Sequence, residues 1–99
     1  MKRTEKKPSL IEKERIPMLR FGTEDVLKDP TARSMRHYEA NRATILGNAY
    51  HNKATITFCT DDGDVKKVET TVWCYDDKFL LLKSGTFLPL RSVLKIENS

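Results

Sequence analysis

Three groups of side chains in this 99-residue chain are of types that do chemistry. The first is the acidic run Asp61-Asp62-Gly63-Asp64. Carboxylates so spaced suit a hard cation, but the run lacks the ligand count and the distal Glu of a calcium loop. A hairpin turn, which needs Asp and Gly for left-handed dihedrals, accounts for it better. The second group is His37 and His51 with Cys59 and Cys74. No combination of these four has the spacing of a four-ligand zinc site. A Cys–His nucleophile would need a thiol of depressed pKa in a cleft, whereas both cysteines fall inside apolar, strand-like runs. The four glycines are scattered at turn-like positions, with no phosphate loop or nucleophile elbow among them. The sequence therefore predicts no catalytic residue, no metal, no cofactor, and a protein that is not an enzyme.

The third group is suited to binding. Trp73 and Tyr75, with Lys67 close by in sequence, could stack on a base or grip a peptide. An apolar cover supplied by Met18, Leu19 and Phe21 is the competing use of that aromatic pair. Arg33, Arg36 and Arg42 are candidates for anion contact. The net charge is +4, and it is unevenly placed. From Lys53 onward seven cations (Lys53, Lys66, Lys67, Lys78, Lys83, Arg91 and Lys95) balance seven anions (Asp61, Asp62, Asp64, Glu69, Asp76, Asp77 and Glu97). The excess lies before them, in Lys2, Arg3, Lys6, Lys7 and the three arginines. Such a balance suits weak, phosphate-directed contact rather than a dedicated nucleic-acid reader.

These residues must be positioned by short elements. Ala54–Thr60, Val65–Tyr75, Lys78–Lys83, Thr86–Leu90 and Val93–Asn98 read as five strands joined by tight turns at Asp61–Asp64, Asp76-Asp77 and Ser84-Gly85. Alternation points Ala54, Ile56 and Phe58 inward, then Val68, Thr70, Val72 and Cys74, leaving Trp73 and Tyr75 on the outer face. Phe79–Leu82 is apolar on both sides and is expected to be covered on both faces. Pro89 belongs at an edge or bend, and Leu90–Ser92 at a 3₁₀ link. Pairing Val65 with Thr60 sets Cys59 opposite Lys66, which argues against a disulfide. Asp29-Pro30 opens a helix over Thr31–Leu46, with Gly47-Asn48 as its exit. Met35, Tyr38, Arg42, Ile45 and Leu46 recur at helical spacing and are expected to pack over one end of the strands. Met1–Pro8 is basic and expected to be disordered. Ser9–Glu12 matches a capping box for a short helix at 10–15, and Pro17–Val26 is apolar enough to lie against the domain.

Strands this short, joined this tightly, are expected to curl into a small closed or half-closed barrel. One helix followed by five strands, with a short turn before the last, resembles the small barrels called SH3-like and Sm-like. The bacterial Sm-like RNA chaperone has the nearest pattern, with strands like Lys53–Phe58, Lys67–Tyr75 and Phe79–Lys83 and a turn like Asp62-Gly63. At the position of that family's RNA-binding signature this chain has Phe87-Leu88-Pro89-Leu90-Arg91-Ser92. The resemblance thus implies the fold, while no RNA-binding residue matches.

The expected architecture is mainly β with an N-terminal α-helix: a five-stranded small barrel at 31–99 behind a flexible basic extension at 1–30. The expected function is a binding module for a protein partner or a second copy of itself. A Sm-like RNA binder is the alternative, and a small regulatory domain holding a metabolite at the barrel mouth a weaker one. No stretch approaches the ~18 apolar residues of a membrane span, and the basic N-terminus lacks the apolar core of a signal peptide. A cytoplasmic protein is the resulting expectation.

Overall fold

The computed structural model describes residues 8–98. The expectation for Met1–Pro8 therefore lies, Pro8 apart, outside the described residues. One helix, α1 (Pro30–Tyr50), and seven strands form two sheets. The strands are β1 (Ser9–Ile11), β2 (Ala54–Cys59), β3 (Val65–Thr70), β4 (Val72–Tyr75), β5 (Phe79–Leu82), β6 (Thr86–Pro89) and β7 (Val93–Asn98). The first sheet has the order β1-β3-β2-β7 and the second β4-β5-β6. Four of the five strands read from the sequence are present, the fifth, Val65–Tyr75, is divided in two, and the 3₁₀ turn Leu90–Ser92 is in place. The expected five-stranded small barrel, closed or half-closed, is not formed: the fold is mixed α/β, and no ladder joins the two sheets into a barrel.

Thr71 is the reason. The expected single strand Val65–Tyr75 breaks there into β3 and β4, one in each sheet. The Thr71 hydroxyl donates to the His51 carbonyl (3.4 Å) and its own carbonyl accepts from Lys83 N–H (2.9 Å). Buried and held at both ends, Thr71 turns the chain from one sheet to the other. A hairpin at Asp61–Asp64, with Gly63 at φ 89°, joins β2 to β3. Its register pairs Cys59 with Val65 and Phe58 with Lys66, one residue from the expected alignment, and both cysteines are free.

Two corrections concern the N-terminal segment. Ser9–Ile11 forms no helix; it is a strand that pairs in parallel with Lys66–Val68. Lys13–Met18 is a 3₁₀ turn that includes Pro17 and drives Ile16 into the core. Phe21 follows, its ring 6.1 Å from that of Phe58. The extension expected to be flexible over 1–30 thus supplies, in its described part, a strand and a core side chain.

Helix α1 begins as its sequence dictates, with the Asp29 carboxylate accepting from Thr31 N–H and Pro30 in the first turn. It runs past the expected exit at Gly47-Asn48 and ends at His51, whose φ of 58° makes the left-handed cap. The face it buries is also not the expected one. Arg36, Ala40, Ala43 and Gly47 face inward, against β4 and β7, whereas Met35, Tyr38 and Ile45 are each more than half exposed. Close approach decides this. A Cβ on Gly47 would run into the Val72 carbonyl oxygen, so where α1 crosses β4 only a small residue can seat. Among the described residues no helix is long and apolar enough to cross a membrane.

Candidate functional site

The expected site residues separate into three environments. Lys67 belongs to the first sheet, half-buried between Leu10 of β1 and Thr57 of β2. Trp73 and Tyr75 belong to the second sheet but do not share a face. Val72 pairs with Leu82, and Cys74 with Leu81, so Trp73 is an extra residue in a β-bulge. A bulge shifts the alternation by one, and a shift by one exchanges the faces. Cys74, expected inside, is therefore exposed, and Tyr75, expected outside, turns toward α1. The Tyr75 hydroxyl lies 3.3 Å from His37 Nε2 and 3.5 Å from Asn41 Oδ1, with the two rings edge-on at 5.1 Å. Trp73 remains 43% exposed. The expected cover goes elsewhere: Lys13–Met18 packs at β3 and β6 with Met18 facing solvent, and Leu19 and Phe21 pack against the core, Phe21 on Phe58.

The three arginines likewise part. Arg36 is 6% exposed and makes a bidentate pair with Asp25, Nη1 to Oδ1 at 2.9 Å and Nη2 to Oδ2 at 2.6 Å. Its Nη1 also donates to the Val93 carbonyl at 2.9 Å. The Arg36 hydrogen bonds hold the Asp25 carboxyl below its ordinary range. Arg33 donates from Nε to the Leu27 carbonyl (2.7 Å) and stands 3.6 Å from Asp25. Arg42 is exposed on another side of the helix. Three arginines in one helix therefore form no single anion surface. Arg36 is instead a structural clamp tying Asp25, α1 and β7 together.

The acidic turns are occupied by their own backbone. Asp62 Oδ1 accepts from the Thr60 hydroxyl and from Asp64 N–H (3.1 Å), and Asp76 Oδ1 from Lys78 N–H (2.8 Å) and Phe79 N–H (2.9 Å). These bonds keep both carboxyls low in pKa. Burial pushes the Cys59 thiol up, away from nucleophile chemistry. No group of three or more His, Cys, Asp or Glu side chains among the described residues could hold a metal ion.

A further apolar surface escaped the sequence reading. On the outer face of the second sheet, pairing sets Cys74 beside Leu81 and Leu81 beside Phe87, while Leu80, Leu82 and Leu88 fill the inner face. Phe79, expected to be covered, is exposed, and its ring meets that of Phe87 edge-on at 5.8 Å. Phe87 itself is 58% exposed. The signal was present: the order Thr86-Phe87-Leu88-Pro89 alternates, and Leu88 can be inward only if Phe87 is outward. No family model, no curated protein and no solved structure matches the chain.

Proposed function

We propose that this protein is a non-catalytic binding module that recognises an apolar segment of a protein partner on the outer face of its three-stranded sheet. The carrying observation is the contiguous row Cys74–Leu81–Phe87, with Phe79 against Phe87, in which Cys74, Phe79 and Phe87 are exposed and Leu81 is half-buried. Exposed aromatic clusters of this kind mark interaction sites more often than isolated apolar residues do. Trp73 borders the row through the bulge and is the sequence-derived candidate that belongs with it. Recognition falls to side chains rather than to strand addition, because both edge strands are four residues long, β4 interrupted by its bulge and β6 ending in Pro89. The test is affinity capture with the full chain against Phe87→Asp and Trp73→Ala. Both variants are expected to lose a captured partner while melting within a few degrees of the parent. Capture indifferent to both variants would end this reading.

A second reading, a nucleic-acid binder of Sm-like type, draws support from element order. Counting β3 and β4 as one bent strand, helix α1 is followed by five strands with a 3₁₀ turn before the last. Arg36 is committed to Asp25, so the excess of positive charge open to a phosphate lies in Arg33, Arg42 and the basic start of the chain. Single-stranded RNA held by those phosphate contacts alone would bind weakly, without sequence preference, and be lost as salt rises, which the first reading also allows. A fluorescence titration at low and moderate salt separates the two readings. Tight binding that persists in salt and requires Trp73 would favour the second.

A further inference from the structure

Helix α1 has a second face whose spacing belongs to a helix pair. Thr31, Met35, Tyr38, Arg42, Ile45 and Ala49 follow one another at intervals of four and three residues. That is the repeat of about 3.5 that holds one stripe against a neighbouring helix. The stripe faces away from both sheets, since Arg36, Ala40, Ala43 and Gly47 occupy the inward side. Met35, Tyr38 and Ile45 expose more than half of their surface along it. At ~1.5 Å per residue the helix offers about 30 Å of such seam.

We propose that this stripe is a homodimer surface, on which a second copy of the chain lays its own α1 antiparallel, about a two-fold axis at the level of Ala40. The occupant follows from self-complementarity. An antiparallel pair centred there sets Met35 against the partner's Ile45 and Tyr38 against the partner's Arg42, and the two-fold repeats both layers. Each Arg42 guanidinium then lies on a tyrosine ring, a favourable cation–π contact. The Arg42 side chain is in no ion pair or hydrogen bond among the described residues, so it is available for that contact. A parallel pair would instead stack Arg42 on Arg42. The stripe and its two borders carry one cation, Arg42, and one anion, Glu39, so the joined faces are neutral. A single helix seam is a small interface, which places the dimer in the weak, concentration-dependent class. The surface is separate from the aromatic face of the three-stranded sheet, and neither proposal depends on the other.

The test is analytical ultracentrifugation of the full chain from about 10 μM to about 1 mM, the range of weak association. A reversible monomer–dimer equilibrium is expected. Ile45→Asp should give a monomer throughout, with thermal melts confirming an unchanged fold. Arg42→Glu and Tyr38→Lys should each weaken the dimer roughly tenfold or more. The combination Tyr38→Lys with Arg42→Glu should restore it, because antiparallel pairing makes two Lys–Glu layers whereas parallel pairing makes like-charge layers. A monomer at every concentration overturns the proposal, as it would if another protein or Met1–Lys7 occupied the stripe. So does a dimer indifferent to Ile45→Asp, or a double variant that stays monomeric.

Discussion

Asp25 and Arg36 show how a residue chosen as a ligand contact became part of the frame. With Arg36 almost fully buried, its charge is tolerated because Asp25 meets it with two short hydrogen bonds. Asp25→Asn leaves a buried guanidinium without its counter-ion, and a loss of about 3–5 kcal/mol is expected from chemical denaturation. The pH dependence has a definite sign. The folded carboxyl is held below its ordinary value, so its contribution is complete above the unfolded pKa of about 3.9 and fades as pH falls through the lower folded value. Melting temperature should therefore drop below about pH 4, and less steeply in Asp25→Asn than in the parent. Asp62 and Asp76, lowered by their turn hydrogen bonds, keep part of that acid limb in the variant. Arginine is usually exposed, so nothing in one sequence marked Arg36 as different from Arg33 or Arg42.

At the scale of elements, strands were legible because their turns are chemically marked: Asp62-Gly63, Asp76-Asp77 and Ser84-Gly85 each interrupt an apolar run. Helix α1 was legible from Asp29-Pro30, but its buried face was not. Large apolar side chains suggested the core side, and steric closeness chose Ala40, Ala43 and Gly47 instead. Gly47→Ala tests that choice. Alanine favours an isolated helix by about 1 kcal/mol over glycine, yet its Cβ would meet the Val72 carbonyl and Thr71 Cγ2. Net destabilisation of about 1–3 kcal/mol is expected by denaturant titration. The capping pattern Ser9–Glu12 was misleading for a different reason: a three-residue parallel strand is specified by the free edge of β3, not by its own sequence. The segment behind it is nevertheless part of the core. Ile16→Ala should cost about 2–5 kcal/mol, whereas Met18→Ala, on an exposed side chain two residues on, should stay within about 0.5 kcal/mol. Thermal melts of the two variants side by side check this.

For the molecule as a whole, the sequence implied one helix and short, tightly turned strands, and could not say whether they close. Closure depends on whether the ladder continues through Thr71, and a single threonine within an apolar run carries no such mark. The outcome is two sheets that share a bend, with α1 lying against β4 of one and β7 of the other. That arrangement leaves two apolar surfaces outward, the aromatic face of the second sheet and the outer stripe of α1. Of their residues, Cys74, Phe79, Leu81, Met35, Tyr38 and Ile45 were visible in the sequence as hydrophobic and were expected to be covered for that reason, whereas Trp73 was expected on the outer face. The core is filled instead by Ile16, Ile56, Phe58, Val72, Leu80, Leu82 and Leu88.

Trp73 has no counterpart across the ladder, and this makes it dispensable in a way no neighbour is. Removing it joins Val72 directly to Cys74, and the pairs Val72–Leu82, Cys74–Leu81 and Tyr75–Leu80 all survive the deletion. Removing Leu81 instead would slide every later pair with β6 by one and turn Leu80 or Leu82 toward solvent. Deletion of Trp73 is thus expected to leave a folded chain that has lost the Asn48 hydrogen bond to the Trp73 carbonyl and little else, with a thermal melt near that of the parent. Deletion of Leu81 should unfold it. Chain length at this one position can vary while the pairing stays constant, so the tryptophan is carried by the strand as cargo, free to change without asking the sheet to change with it.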